Sequence, residues 1–292
     1  MNRIGAHHTI WSANVMQDAF KLLPIVRRMG YDGIELPIYD PDALDTRALR
    51  AAIEGEGLLC TATMGLPPGF SLLDAAPRAD TIDRIGRTIR TAAALGASLL
   101  GGQMNLPVGE LRGRTYSHEE WESAVQAYRQ LGVIAADHGV VLALEILNRY
   151  IGYFLTTVED GVRLMDEVDH PSVGLLLDTF HMNIEEKSTP AAIRAAARHL
   201  KHFHCSENDR GTVGTGQVPW AAVFEALRKI EYTGWLVVES FAATPDMIAR
   251  TRTWRPPAAS PDELARESIL FIRQALAGHR GASISGSSAS VR

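Results

Sequence analysis

Four apolar segments in the second half of the chain each end in a side chain that can bind a metal ion. They span residues 142–145, 175–178, 202–204 and 237–239, and their last residues are Glu145, Asp178, His204 and Glu239. Three carboxylates and one imidazole suit Mn²⁺, Co²⁺ or Mg²⁺, with Zn²⁺ an open alternative, better than a soft metal. One carboxylate at a strand end is often only a helix cap. Four in succession would be costly to desolvate without a shared cation, so the pattern predicts a metal centre.

These segments belong to a series of eight short apolar runs separated by amphipathic stretches. The runs cover residues 3–8, 33–38, 58–63, 98–101, 140–147, 172–178, 199–205 and 235–240. Helical spacing of apolar residues predicts helices over 13–29, 77–95, 118–138, 158–168, 190–198, 219–230 and 262–276. Strands that are apolar almost throughout are typical of a parallel sheet covered on both faces. Eight such units predict one α/β domain, a (β/α)8 TIM barrel over residues 1–277.

In a barrel of this kind, catalytic groups lie at the carboxyl ends of the strands. Each predicted metal ligand falls at such an end, so we expect the four to meet at one mouth of the barrel. The first half of the chain offers fewer polar candidates, namely His7, His8 and Glu35, and at most one of the two histidines can face the site. His202 shares a strand face with His204, and we expect it to lie deeper in the barrel.

The composition bears on the partners and location of the protein. The 292 residues carry a formal net charge of −5 and no run of five or more Lys or Arg, which argues against nucleic-acid binding. No stretch reaches the roughly 18–20 apolar residues of a membrane span. Both cysteines lie in apolar segments, which is typical of a reducing compartment. We therefore expect a cytoplasmic protein without membrane or nucleic-acid partners, ending in a disordered Gly/Ser-rich tail over residues 278–292.

The strand ends lie within longer motifs. Residues 145–150 read Glu-Ile-Leu-Asn-Arg-Tyr, and residues 177–186 read Leu-Asp-Thr-Phe-His-Met-Asn-Ile-Glu-Glu. Further motifs are His-Phe-His at 202–204, Val-Glu-Ser-Phe at 238–241 and Arg-Thr-Trp-Arg at 252–255. On these motifs the chain resembles, over about residues 1–276, the ketose 3-epimerases typified by D-tagatose 3-epimerase and D-allulose (psicose) 3-epimerase, within the xylose isomerase-like TIM barrel superfamily.

This resemblance implies metal-dependent epimerisation of a free ketose at C3. The proton beside the ketone would leave to form an enediolate and return on the opposite face, with Glu145 and Glu239 as the acid/base pair as well as metal ligands. His181 and Arg210 would bind the substrate. Mn²⁺ or Co²⁺ would be the cofactor, and the protein would form a homodimer or homotetramer.

Two further positions bear on the sugar that the resemblance implies. Ile151 stands where the family usually has a glutamate that contacts the substrate, which leaves the identity of the sugar open. Trp254, in a Pro-rich loop, matches the family's Trp-Arg pair and is predicted to contact the substrate. Trp11 and Trp220 are further candidates for the pocket wall.

Three other functions remain open at this point. An aldose–ketose isomerase of the hydroxypyruvate or rhamnose isomerase kind would use the same metal but move the proton between C1 and C2. An endonuclease IV-like repair enzyme would need a larger, His-rich metal site and a basic face. A non-catalytic sugar-binding barrel would not need two opposed carboxylates on a metal.

Overall fold

Eight parallel strands close into a barrel in the computed structural model, which describes residues 2–242 and 244–281. The strands are β1 Arg3–His7, β2 Gly33–Pro37, β3 Leu59–Leu66, β4 Leu99–Pro107, β5 Val141–Glu145, β6 Val173–Asp178, β7 Leu200–Cys205 and β8 Trp235–Val238. They follow one another around the barrel in chain order, and β8 pairs with β1. The predicted (β/α)8 TIM barrel is confirmed.

The helices alternate with the strands along the chain. They are α1 Val15–Met29, α2 Thr46–Gly55, α3 Arg78–Ala94, α4 His118–Asp137, α5 Val158–Val168, α6 Thr179–Glu185, α7 Thr189–Ala195, α8 Trp220–Lys229, α9 Pro245–Thr251 and α10 Pro261–Gly281. Capping groups start several of them; at α4, Ser117 Oγ accepts from the Glu120 N–H while the Glu120 carboxylate accepts from the Ser117 N–H. None of the described helices is long and apolar enough to cross a membrane.

The apolar periodicity of the sequence does not predict α2, α6 or α9. Helix α2 has an apolar face but spans only ten residues, of which Leu49 and Ile53 are buried. Helix α6 follows β6 directly, because the Asp178 side chain accepts a hydrogen bond from the Phe180 N–H and caps the helix. Helix α9 begins at Pro245. Proline suits the first turn of a helix, because the N–H that it lacks would have no acceptor within the helix there. No element is predicted from the sequence in any of these three segments.

Two segments continue past their predicted ends. Strand β4 runs to Pro107, well past residue 101, and all nine of its residues are buried. Helix α10 runs to Gly281, past the predicted end at residue 276. Residues 282–292 of the predicted tail lie outside the described residues.

A small apolar cluster lies apart from the main core of the barrel. It consists of Leu99, Ala143 and Leu176, which come from β4, β5 and β6. Next to it, Gly101 leaves space that a larger residue would fill, since a Cβ there would lie 2.8 Å from Leu176 Cδ1 and 3.6 Å from His202 Cδ2. The glycine therefore makes room for the Leu176 side chain inside the barrel.

Candidate active site

The structure brings the four predicted metal ligands together at the carboxyl ends of the last four strands. Ligand atoms of Glu145, Asp178, His204 and Glu239 all lie within 4.8 Å of one another. Strand register accounts for part of this, because Asp178 on β6 pairs directly with His204 on β7. Asp178 and His204 are buried, whereas the Glu145 side chain is 12% exposed and is the most open of the four.

One ligand atom of this cluster has no partner among the described residues. His204 Nδ1 is buried without a hydrogen bond, and the nearest carboxylate oxygen, Glu239 Oε1, is 3.5 Å away. A buried polar atom without a partner is rare in proteins and asks for an explanation. A cation among the three carboxylates would provide one, so the residues present fit a divalent metal.

The guanidinium of Arg210 lies between two of the predicted ligands. Its Nη1 is 2.7 Å from Asp178 Oδ2, 2.6 Å from Glu239 Oε2 and 2.8 Å from Ser206 Oγ. The Phe180 and Phe241 rings lie 4.0 Å and 4.9 Å from its central carbon. The residue predicted to contact substrate therefore also balances the charge of the acidic cluster.

The backbone around this arginine is constrained as well. Arg210 has a φ of 63°, in the left-handed region that non-glycine residues seldom occupy. Its carbonyl oxygen accepts a 2.6 Å hydrogen bond from Ser240 Oγ. The buried Glu207 carboxylate binds the rest of the loop by accepting from the N–H groups of Gly214 and Val218. The loop after β7 thus holds the guanidinium in place.

Burial and charge act in opposite directions on the acidic groups. Burial raises the pKa of Asp178, and the nearby Arg210 offsets only part of that effect. Burial would also raise the pKa of Glu239, but Arg210 and His204 together hold it well below its usual value. The pKa of His204 is raised despite burial, because Glu239 and Glu35 stabilise its charged form. The charge on each of these groups therefore depends on the charges of its neighbours.

His181 presents an N–H to the same space. Its Nδ1 accepts from the Asn148 backbone N–H at 3.2 Å and from Asn148 Nδ2 at 2.8 Å, so the ring proton resides on Nε2. Nε2 lies 3.5 Å from Glu145 and 3.8 Å from Asp178. Arg210 Nη2 approaches Nε2 only to 3.4 Å, a longer contact than either one from Asn148. His181 can therefore donate a hydrogen bond into the site.

Residues from the first half of the chain form a further part of the site. His7 Nε2 lies 3.0 Å from Thr63 Oγ1, and its ring meets that of His204 edge-on at 6.0 Å. His8 turns away and binds the Ser12 carbonyl, so only one of this pair reaches the centre, as expected from strand alternation. Glu35 contacts both His202 and His204, a connection that local sequence patterns do not indicate.

Ile151 and Trp254 are the other predicted substrate contacts. Ile151 is half-buried in the loop after β5, where its carbonyl accepts from the Gly109 N–H at 2.8 Å. Trp254 is 73% exposed and is not a buried wall of the pocket within this chain. Trp220 is a core residue stacked on Phe224, so its expected place in the pocket wall is wrong. The periodic apolar face of α8 accounts for its burial.

Comparison with known proteins gives matches over nearly the whole chain. A family profile described as Xylose isomerase-like TIM barrel matches residues 23–275. A probable ketose 3-epimerase from Synechocystis sp. is 34% identical, covering 93% of this chain and 96% of the relative. An L-ribulose 3-epimerase from Methylomonas sp. is 32% identical, covering 92% and 96%. A solved structure of L-ribulose 3-epimerase is 31% identical with a TM-score of 0.93, covering 100% of both chains.

Proposed function

The chain belongs to the xylose isomerase-like TIM barrel family and is an isomerase related to the ketose 3-epimerases, and from this we propose that it epimerises a free ketose at C3 with a divalent metal. The observation that carries the proposal is the convergence of Glu145, Asp178, His204 and Glu239, whose ligand atoms lie within 4.8 Å. A barrel that only bound sugar would have no use for this set of buried charges.

These four residues would hold the cation. Arg210 pairs with Asp178 and Glu239, and Glu145 adds a third carboxylate to the group. A divalent cation would therefore balance negative charge that the single guanidinium does not. The bare His204 Nδ1 offers a nitrogen ligand. The oxygen-rich set favours Mn²⁺ or Co²⁺, with Mg²⁺ as a further candidate. When bound, the cation would act as a Lewis acid and stabilise the negative charge that develops on the sugar oxygens beside the reacting carbon.

Glu145 and Glu239 would move the proton. Inversion at a carbon needs one base on each face. Glu145 ends β5 and Glu239 directly follows β8, so the two lie on either side of the paired Asp178 and His204. One would remove the C3 proton while the other returned a proton to the opposite face. General acid–base help of this kind contributes about 10²–10⁴-fold in rate.

His181 and Arg210 would orient the sugar. The N–H at His181 Nε2 faces the acidic cluster and can donate to a substrate oxygen near the carbonyl. Arg210 Nη1 is occupied by three oxygens, whereas the contact described for Nη2 is the 3.4 Å approach to His181. Nη2 would therefore be the donor to a substrate hydroxyl, since a guanidinium carries several N–H groups in a fixed fork.

The half-buried Ile151 side chain would shape the preference for one ketose over another. A hydroxyl placed against isoleucine loses water without gaining a hydrogen bond. A shorter or deoxy ketose would lose less, so we infer that the site favours it over a ketohexose. The relatives include both L-ribulose 3-epimerases and D-psicose 3-epimerases, so this inference rests on Ile151 alone.

A chelation experiment with a substrate panel tests the proposal. Protein stripped by a chelator should lose activity on ketohexoses, ketopentoses and tetruloses, and Mn²⁺ or Co²⁺ should restore epimer formation, read by chromatography. In D₂O, an epimerase places deuterium at C3, whereas an aldose–ketose isomerase places it at C1 or C2. Full turnover by metal-free protein would contradict the metal requirement.

Two substitutions separate the proton-transferring groups. Glu145→Gln and Glu239→Gln should each abolish net epimerisation, while one of them can retain C3 exchange because one base remains on one face. Glu225→Gln is the matched control, since Glu225 lies partly exposed on α8 and pairs only with Arg228 and Lys229 among the residues described. A fully active variant at either site position would remove that residue from the acid/base pair.

A further inference from the structure

A fully buried carboxylate adjoins the candidate metal centre. Glu35, the middle residue of β2, has Oε2 at 2.7 Å from Thr61 Oγ1 and 2.6 Å from His202 Nε2, and Oε1 at 2.8 Å from His204 Nε2. We call Glu35, Thr61, His202 and His204 the Glu35 cluster. His204 belongs both to this cluster and to the predicted metal ligands.

The hydrogen bonds of Glu35 decide where the imidazole protons reside. An ionised carboxylate only accepts, so the Thr61 hydroxyl and both imidazoles must donate to it. Each imidazole therefore carries its proton on Nε2. In the neutral form that binds a metal, His204 then keeps a lone pair on Nδ1, the atom that is buried without a hydrogen bond among the described residues.

We propose that Glu35 is a positioning residue, which holds His204 with Nδ1 directed at the cation and Nε2 hydrogen-bonded. The inference rests on the proposed function, because it assigns a role toward the same metal. Without Glu35, the proton could move to Nδ1 and face Glu239 Oε1, which is 3.5 Å away. That tautomer would remove the nitrogen ligand. Carboxylates that orient a metal-bound imidazole in this way typically change metal affinity 10–100-fold when they are lost.

A second cation within the Glu35 cluster is the main alternative. Glu35, His202 and His204 are close enough to share one, and His204 would then bridge two ions. The oxygen–nitrogen distances of 2.6 and 2.8 Å, however, are those of hydrogen bonds. Two ligands on one cation with bonds of about 2.1 Å lie roughly 3.0–3.4 Å apart. The geometry therefore favours the hydrogen-bonded support.

Calorimetric titration of the full-length, chelator-stripped protein with Mn²⁺ tests this. The wild type should bind one ion per chain, and Glu35→Gln should bind it 10–100-fold more weakly. Glu120→Gln is the matched control, because Glu120 is also a buried, ion-paired carboxylate but lies on α4; it should leave the Mn²⁺ affinity unchanged.

If the wild type binds no Mn²⁺, the proposed function itself fails. If the wild type binds Mn²⁺ and Glu35→Gln binds it equally well, only this inference is overturned. Two ions in the wild type also overturn it.

The visible spectrum of the Co²⁺-loaded protein distinguishes a positioning role of Glu35 from a general structural role. With Co²⁺ at saturation, the visible absorption of Glu35→Gln should differ from that of the wild type, because the imidazole ligand is changed. An unchanged spectrum would overturn the inference. If Glu35→Gln does not fold, Thr61→Val decides instead: it removes one donor to Glu35 and should weaken Mn²⁺ binding several-fold, whereas wild-type affinity would overturn the inference.

Discussion

Replacing Arg210 with methionine should destabilise the metal-free protein strongly. The change keeps an unbranched side chain but removes the charge that lies 2.7 Å from Asp178 and 2.6 Å from Glu239. Removing one partner from a buried ion pair costs about 3–5 kcal/mol, because the remaining charge is left without compensation. In a chain of this size, each kcal/mol of destabilisation lowers the Tm by about 2–4 °C, so the Tm should fall by roughly 6–20 °C.

Adding Mn²⁺ should restore much of the stability that Arg210→Met loses. Without the guanidinium, the carboxylates of Asp178 and Glu239 are unbalanced, so the variant should bind a cation more tightly than the wild type does. Since a ligand stabilises the folded state by an amount that grows with its affinity, the rise in Tm on adding Mn²⁺ should be larger in Arg210→Met. Thermal melts with and without Mn²⁺ measure both the fall in Tm that the substitution causes and the rise in Tm that Mn²⁺ causes.

Ser240→Ala provides the control for loop disruption. It removes the 2.6 Å hydrogen bond to the Arg210 carbonyl but changes no charge. It should lower the Tm modestly and equally in both metal states. If the Tm of Arg210→Met falls by the same amount with and without Mn²⁺, the guanidinium does not balance the charge of a cation site. That result would refute the electrostatic reasoning.

Three further predictions concern the sugar, the assembly and the acid stability. Ile151→Glu should raise kcat/KM on ketohexoses relative to shorter or deoxy ketoses about fivefold, the effect of one gained hydrogen bond; an unchanged ratio would show that this side chain does not face the sugar. Sedimentation at micromolar concentration should find a homodimer or homotetramer, and a single 31.9 kDa species would count against self-association. A hydrogen bond from Arg114 lowers the pKa of Glu120 to about 2, although burial of this carboxylate acts in the opposite direction. The stability that Glu120 contributes should therefore be present above its ordinary pKa of 4.5 and be lost as the pH falls toward 2. The Tm gap between wild type and Glu120→Gln, measured across that range, should therefore narrow on acidification; a constant gap would show that Glu120 contributes no charge-dependent stability.

Local sequence determines much of the barrel. Parallel strands covered on both faces must be apolar almost throughout, so each of the eight strands is visible as a short run. The four candidate ligands are visible for the same reason: a charged residue that ends an apolar strand contrasts with everything before it. Helix α2 is not predicted, because it spans only ten residues and buries just two of them, Leu49 and Ile53.

Closure of the barrel determines which side chains from distant parts of the chain meet in the site. Glu35 and His202 are 167 residues apart, and Arg210 meets Asp178 and Glu239 from a loop whose conformation depends on Glu207 and Ser240. Hydrogen bonds between such distant residues leave no periodic signal, because each partner alone is only an isolated polar residue. Sequence therefore indicates which side chains reach the mouth of the barrel, whereas only the tertiary structure decides which of them share a proton or a charge.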